Sequence, residues 1–204
     1  MGRRIDENPA LQSLRSALFL LGGLACVVLA SGCQGSKSEA IDQLAKQIQA
    51  KILVAGKPDQ VQSLKSVYGD FQPDQVVTVA GRIYAESISP FDPLESTFTV
   101  IELPKPGHNH EDPGDCPFCK RELRNAKFAI VKIVDEAGKT LPAPADQLLG
   151  LEKNQDVVLT GSVNSVGETL VLQVQKLHIL SKDDAQSLSE AFHEEPNQAD
   201  SNQS

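Results

Sequence analysis

Two histidines and two cysteines fall within twelve residues, in the order His108-x-His110-x5-Cys116-x2-Cys119. Thiolates two residues apart grip one ion from a tight turn, and Pro117 between them stiffens that turn. The His-x-His spacing places both imidazoles on the same side of an extended segment. Pro113-Gly114 supplies the turn that would fold the two halves together. Two nitrogens and two sulfurs suit tetrahedral Zn²⁺, with Cu(I) as the second candidate for so soft a donor set. Asp112 and Asp115 lie between the pairs as supporting or substitute ligands, and Lys120, Arg121 and Arg124 follow at once, favouring the thiolate form. The same two thiols also suit a disulfide, structural or redox-active, in an oxidising compartment, where the two imidazoles would simply be solvated.

The Cys-Pro-Phe-Cys stretch resembles the motif of glutaredoxins, which there opens a helix after the first strand of a βαβ unit. Here it stands inside a pattern of alternating strands, without that context. Covalent attachment of c-type haem requires His after the second Cys, and Lys120 occupies that place. No nucleophile elbow or triad spacing surrounds the Ser and Asp residues, and no Gly-rich loop opens a helix to cradle phosphate. His178 alternates with Leu177 and Ile179 as a strand-face residue, and His193 falls in the tail. Nineteen Lys and Arg stand against 27 Asp and Glu, a net charge of −8, which argues against a nucleic-acid partner. Tyr84 is one candidate aromatic platform, but without a basic groove beside it a single ring argues poorly for single-stranded nucleic acid.

The N-terminus places Arg3, Arg4 and Arg15 before an apolar stretch, Ala17 to Ala30. As a helix those fourteen residues rise about 21 Å, short of the roughly 30 Å hydrocarbon core, so they fit the apolar part of a secretory signal better than a span. Leu29-Ala30-Ser31-Gly32-Cys33 follows and resembles the lipobox of bacterial lipoproteins, with Ala30 where that box usually has Leu. The resemblance implies cleavage before Cys33, lipidation of Cys33, and a chain anchored to a membrane of the cell envelope, facing the periplasm or exterior. A third reading, beside the metal loop and the thiol–disulfide protein, is a structural or interaction module of the envelope whose barrel binds another envelope protein, with the loop incidental. Without Arg3, Arg4, Arg15, Asp6 and Glu7, the 19 basic and 27 acidic side chains fall to 16 and 25. Cys26 leaves with the leader and Cys33 carries lipid, so Cys116 and Cys119 are the free thiol chemistry that remains.

The elements that must hold the His/Cys loop follow from periodicity. Ile41, Leu44, Ala45, Ile48 and Ile52 form one stripe of an amphipathic helix over Ser38 to about Val54. A short helical or irregular piece spans Val61 to Val67. From Val76 the period changes to two, and strands are expected near 76–83, 96–103, 128–134, 157–163 and 170–180. One short helix, Pro144 to Leu151, lies between the third and fourth. Val77-x-Val79-x-Gly81-x-Ile83 and Val157-x-Leu159-x-Gly161-x-Val163 echo each other. This order resembles the OB-fold and implies a mainly β, five-stranded Greek-key barrel whose first strand bends at Gly81. A different five- or six-stranded barrel or sandwich fits the pattern as well. The expected organisation is a signal peptide over 1–32, a lipid-anchor tether and helical segment over 33–73, the β domain over 74–181 with loop 104–126 inserted, and an acidic, largely disordered tail over 182–204. In that tail Leu188 and Phe192 suggest one or two amphipathic turns.

Overall fold

The two echoing strand signatures are partners. In the computed structural model, which describes residues 36–105, 121, 123 and 125–194, the elements run α1 (Ser36–Ile52), β1 (Gln62–Ser63), α2 (Leu64–Gly69), β2 (Gln75–Ile83), β3 (Thr97–Ile101), β4 (Phe128–Ile133), α3 (Ala145–Leu149), β5 (Asp156–Val166), β6 (Thr169–Ile179) and α4 (Lys182–His193). The chain divides between Ile41 and Asp42, and the second unit holds all six strands. β2 and β5 pair antiparallel from Gln75↔Val163 to Arg82↔Asp156, so the glycine of each signature meets a valine of the other, Gly81↔Val157 and Val77↔Gly161. The end of this ladder is tied by a two-pronged ion pair: Arg82 Nε donates to Asp156 Oδ1 at 2.7 Å and Nη2 to Oδ2 at 2.8 Å.

The sheet is mixed, with order β1-β2-β3-β4-β6-β5, and the β2–β5 pairing closes β2-β3-β4-β6-β5 into a ring of hydrogen bonds that leaves β1 outside, alongside β2. This corrects the five-stranded OB-fold-like Greek-key barrel expected from the sequence. Among the described residues the named elements are six strands and four helices, and β1·β2 and β4·β6 run parallel. The reason is physical. A two-residue β1 and a six-residue α2 are too short to show a period, and alternation records which face is buried, not which strand lies alongside or in which direction. β2 to β6 do occupy the stretches where alternation was read.

The inward face carries the principal core. Val77, Val79 and Ile83 of β2 meet Phe98 and Val100 of β3, Val131 and Ile133 of β4, Leu159 of β5, and Leu172 and Leu177 of β6. α1 adds buried Ala45 and Ile52 with half-buried Leu44 and Ile48, while Ile41 of the same stripe is exposed. Gln49 of α1 donates to the carbonyl of Leu148 at 2.9 Å. α2 is capped by the Ser63 hydroxyl, which accepts from the Ser66 N–H, and buries Leu64 and Val67. α3 ends at Gly150, whose φ of 66° suits the left-handed cap.

A second, outward cluster lies across the β2–β5 ladder, where neighbours Ala80 and Val158 are covered by Leu180 and by Ala185, Leu188 and Phe192. The last three belong to α4, so residues 182–193 form a continuous helix where the sequence suggests one or two amphipathic turns. Ser181 caps it by accepting from the Asp184 N–H at 3.1 Å. The Ser181 hydroxyl, and then Lys57 at 3.1 Å, hold the Asp184 carboxyl below its ordinary value.

Gly161 is the tightest backbone position. A Cβ there would stand 2.0 Å from the Gln173 carbonyl oxygen, beside the register shift where β5 and β6 slip by one residue. At Gly81 a Cβ would meet the Ile101 carbonyl oxygen at 2.7 Å, because β3 joins β2 there while β5 holds its other edge. Gly161→Ala is therefore expected to lower the unfolding free energy by about 1–3 kcal/mol or more, as overpacking does. Gly56→Ala, with nothing within 4 Å of the new methyl, should stay within about 0.5 kcal/mol of wild type. Urea unfolding of both variants checks the contrast; equal midpoints would refute it.

Candidate functional site

β3 and β4 are antiparallel neighbours, and the long insertion joins them. Their last pair is Ile101↔Phe128, and the Glu102 N–H then donates to the Lys127 carbonyl at 3.0 Å. The insertion therefore leaves and re-enters the sheet at one narrow neck. α4 holds the outgoing strand: Ser189 Oγ donates to the Pro104 carbonyl at 2.5 Å, and His193 Nε2 bonds the Leu103 carbonyl at 3.2 Å. Tyr68 of α2 holds the returning strand, donating its hydroxyl to the Phe128 carbonyl at 2.7 Å while accepting from the Leu170 N–H at 3.2 Å. Lys127 Nζ lies 5.1 Å from the centre of the same ring.

A cavity of about 380 Å³ opens beside this neck, within the size range of small-molecule sites. Leu64, Ala80, Ile101, Leu103, Leu123 and Phe192 form its apolar wall. Glu102, Lys65, Lys105, Lys127 and His193 supply its charge and polarity. Oε1 of Glu102 is buried and has no hydrogen-bond partner among the described residues. Burial pushes the Glu102 carboxyl above its ordinary value, against the opposing pull of a backbone hydrogen bond from Lys127 and the charges of His193, Lys65 and Lys127.

His108, His110, Cys116 and Cys119 lie outside the described residues, as do Cys33, Asp112, Asp115, Lys120 and Arg124. Among the described residues, no group of three or more His, Cys, Asp and Glu is arranged to hold a metal ion. No helix among them is long and apolar enough to cross a membrane; the stretch Ala17 to Ala30 is not one of them. His178 stands on β6 with Nδ1 bonded to the Val54 carbonyl at 2.9 Å, a strand-face residue with a structural partner. Tyr84 is 2% exposed with Lys153 Nζ 5.0 Å from its ring centre, so it offers no stacking platform.

Sequence reasoning missed the cavity. Lys65, Glu102, Lys127 and His193 come from four separate stretches, and no spacing rule links them. The one usable signal was a charged residue, Glu102, between the apolar pair Ile101 and Leu103 at the end of a strand.

No family model matches the chain, and no curated protein matches it. A solved structure to which it is similar is described as "a putative aspartyl-tRNA synthetase from Leishmania major Friedlin", with a TM-score of 0.38 and 11% identity. The likeness covers 70% of this chain and 26% of that one, so this chain matches about a quarter of that chain's length. At that TM-score it carries no conclusion about this chain.

Glu102 yields a pH dependence with a definite sign. The folded chain keeps the Glu102 proton to a higher pH than the unfolded chain, so between the ordinary 4.5 and the raised value the folded state binds more protons. Stability from this group is present below that window and falls as pH rises through it. Glu102→Gln removes this loss. The stability of the variant relative to wild type should grow as pH rises from below 4.5 to neutrality. Urea unfolding across that range measures the difference, and a constant difference would refute the assignment.

Proposed function

We propose that the protein is a lipoprotein of the cell envelope, anchored to the membrane through Cys33 and facing the periplasm or exterior. Its function in this reading is to present a metal-binding loop, for Zn²⁺ first and Cu(I) second, without catalysing a reaction. His108, His110, Cys116 and Cys119 are the ligands, with Asp112 and Asp115 supporting them.

The observation that carries this reading is the neck. The bond between Glu102 and Lys127 makes everything between them one closed excursion from the sheet, so part of the entropy of gathering four ligands is already spent when the domain folds. The ligand pairs are separated by only five residues inside that excursion. The cationic run after Cys119 offsets thiolate charge. The Leu29 to Cys33 box after a short apolar stretch supports the anchor.

Protein beginning at Gly35 is expected to copurify with about one metal ion per chain, and Cys116→Ser with Cys119→Ser to abolish it. Unchanged metal content in that double variant rejects the site. Thiols found blocked and metal-free in protein alkylated directly from the envelope would favour a Cys116–Cys119 disulfide instead. Cys33→Ser in the full chain is expected to abolish acyl labelling and release the protein from the membrane fraction; retained labelling would reject the anchor.

A further inference from the structure

The turn Asp92-Pro93-Leu94-Glu95, between β2 and β3, holds an apolar tip out into solvent. Leu94 is 76% exposed, more than any other large apolar side chain among the described residues, and Pro93 beside it is exposed as well. The turn is nonetheless fixed. Asp92 Oδ1 accepts from the Leu94 N–H at 2.8 Å and from the Glu95 N–H at 3.0 Å. The Asp92 N–H donates to the Thr97 carbonyl at 2.9 Å, and the Phe91 ring lies against Phe98 with centroids 6.1 Å apart. A side chain already held by an ordered backbone loses little freedom when a partner buries it, so it suits an anchor. The setting is acidic: Asp92 and Glu95 flank the tip, and no Lys or Arg stands between Arg82 and Lys105.

The matching shape belongs to the same chain. The cavity beside the neck has Leu64, Ala80 and Leu103 as its buried floor and half-buried Leu123, Ala126 and Phe192 as its sides. A void of roughly 150 Å³ takes a benzene ring, so the 380 Å³ here has room for Pro93 and Leu94 together. Lys65 and Lys127 are exposed at its edge. The Tyr68 ring lies under Lys127 Nζ, which leaves N–H groups of that ammonium to meet a carboxylate. The turn is tied to Thr97, the first residue of β3, and the cavity takes Ile101, its last. Those two ends are about 13 Å apart along the strand, so the turn does not enter its own cavity.

We propose that the 92–95 turn of one copy docks into the neck cavity of a second copy. Pro93 and Leu94 fill the apolar interior and leave water. Glu95 meets Lys65 or Lys127 at the rim, which sets the direction of docking. Neither the enclosed oxygen of Glu102 nor Lys105 is needed. Two carboxylates beside the tip oppose its burial in a lipid interior, so a bilayer is the poorer partner. The contact is heterologous: each added copy brings a further turn and a further cavity, and association continues head to tail. One turn in one cavity is a small interface, which makes the association transient.

The test uses the full chain, one copy per phosphatidylcholine nanodisc, with donor and acceptor dyes on separate batches of discs. Dithiothreitol and 1,10-phenanthroline are present throughout, so neither a disulfide nor a metal ion joins two chains. Energy transfer that saturates in the micromolar range and weakens with added salt is expected. Leu94→Ser in every chain should weaken association about tenfold or more, the scale of losing one buried aliphatic side chain. Ala126→Phe, which fills the cavity from its half-buried side, should do the same while leaving the urea midpoint near wild type. If it moves that midpoint, Lys65→Glu with Lys127→Glu, both exposed, serves as the second cavity variant. The deciding measurement mixes Leu94→Ser discs with cavity-variant discs. One partner keeps its turn and the other its cavity, so transfer should return and stop at pairs. No transfer in the wild type beyond empty discs would overturn the proposal and leave the turn to a different occupant. Undiminished transfer in Leu94→Ser, or no recovery in the mixture, would overturn it as well. With thiols reduced and metal removed, none of these outcomes bears on the metal loop.

Discussion

The β2–β5 ladder is the constraint from which the rest of the domain follows. Eight consecutive pairs, from Gln75↔Val163 to Arg82↔Asp156, turn a mixed sheet back on itself. Without this return, Val77, Val79 and Leu159 would lie on an open face with no opposite wall. With it, they share one interior with Phe98, Val131 and Leu177. The Arg82–Asp156 pair closes the ladder with side chains only 17% and 13% exposed. A half-buried pair of this kind offsets its desolvation only because both prongs are hydrogen-bonded.

The same ladder creates an outer face. Ala80 and Val158 point away from the interior and would be exposed if the chain stopped at β6. α4 covers them and, in the same contact, reaches the carbonyls of Leu103 and Pro104. One helix thus finishes the hydrophobic packing and orients the place where the insertion departs. The cavity lies where β2, the neck and α4 come together, so its shape depends on that helix as much as on the sheet.

Local pattern made some of this legible in the sequence, and the limits are specific. Val77-x-Val79 and Val157-x-Leu159 declared strands because one face is buried and the other is not. Pro144 to Leu151 showed its short helix through Gly150 at its end. α4 was harder, since its buried face amounts to Ala185, Leu188, Ser189 and Phe192 among acidic neighbours. The parallel course of β4 beside β6 leaves no local trace, because pairing partners are decided by the whole core. Of the candidate sites, the His/Cys motif is visible as spacing alone, and its residues lie outside the described part of the chain. The cavity is the opposite case, absent from any linear pattern and assembled only by the fold.

The end of α1 has a mechanical consequence. Leu53 forms a parallel bridge with Leu177, the Val54 N–H donates to the Leu177 carbonyl at 2.9 Å, and His178 bonds the Val54 carbonyl. A pull from the N-terminal side is taken up first by α1, through Ala45, Ile52 and the Gln49–Leu148 hydrogen bond, and then by this three-part clasp on β6, which carries Leu177 into the centre of the core. Such a pull therefore has to strip a packed helix and then break a backbone tie before it can peel β6 from its neighbours.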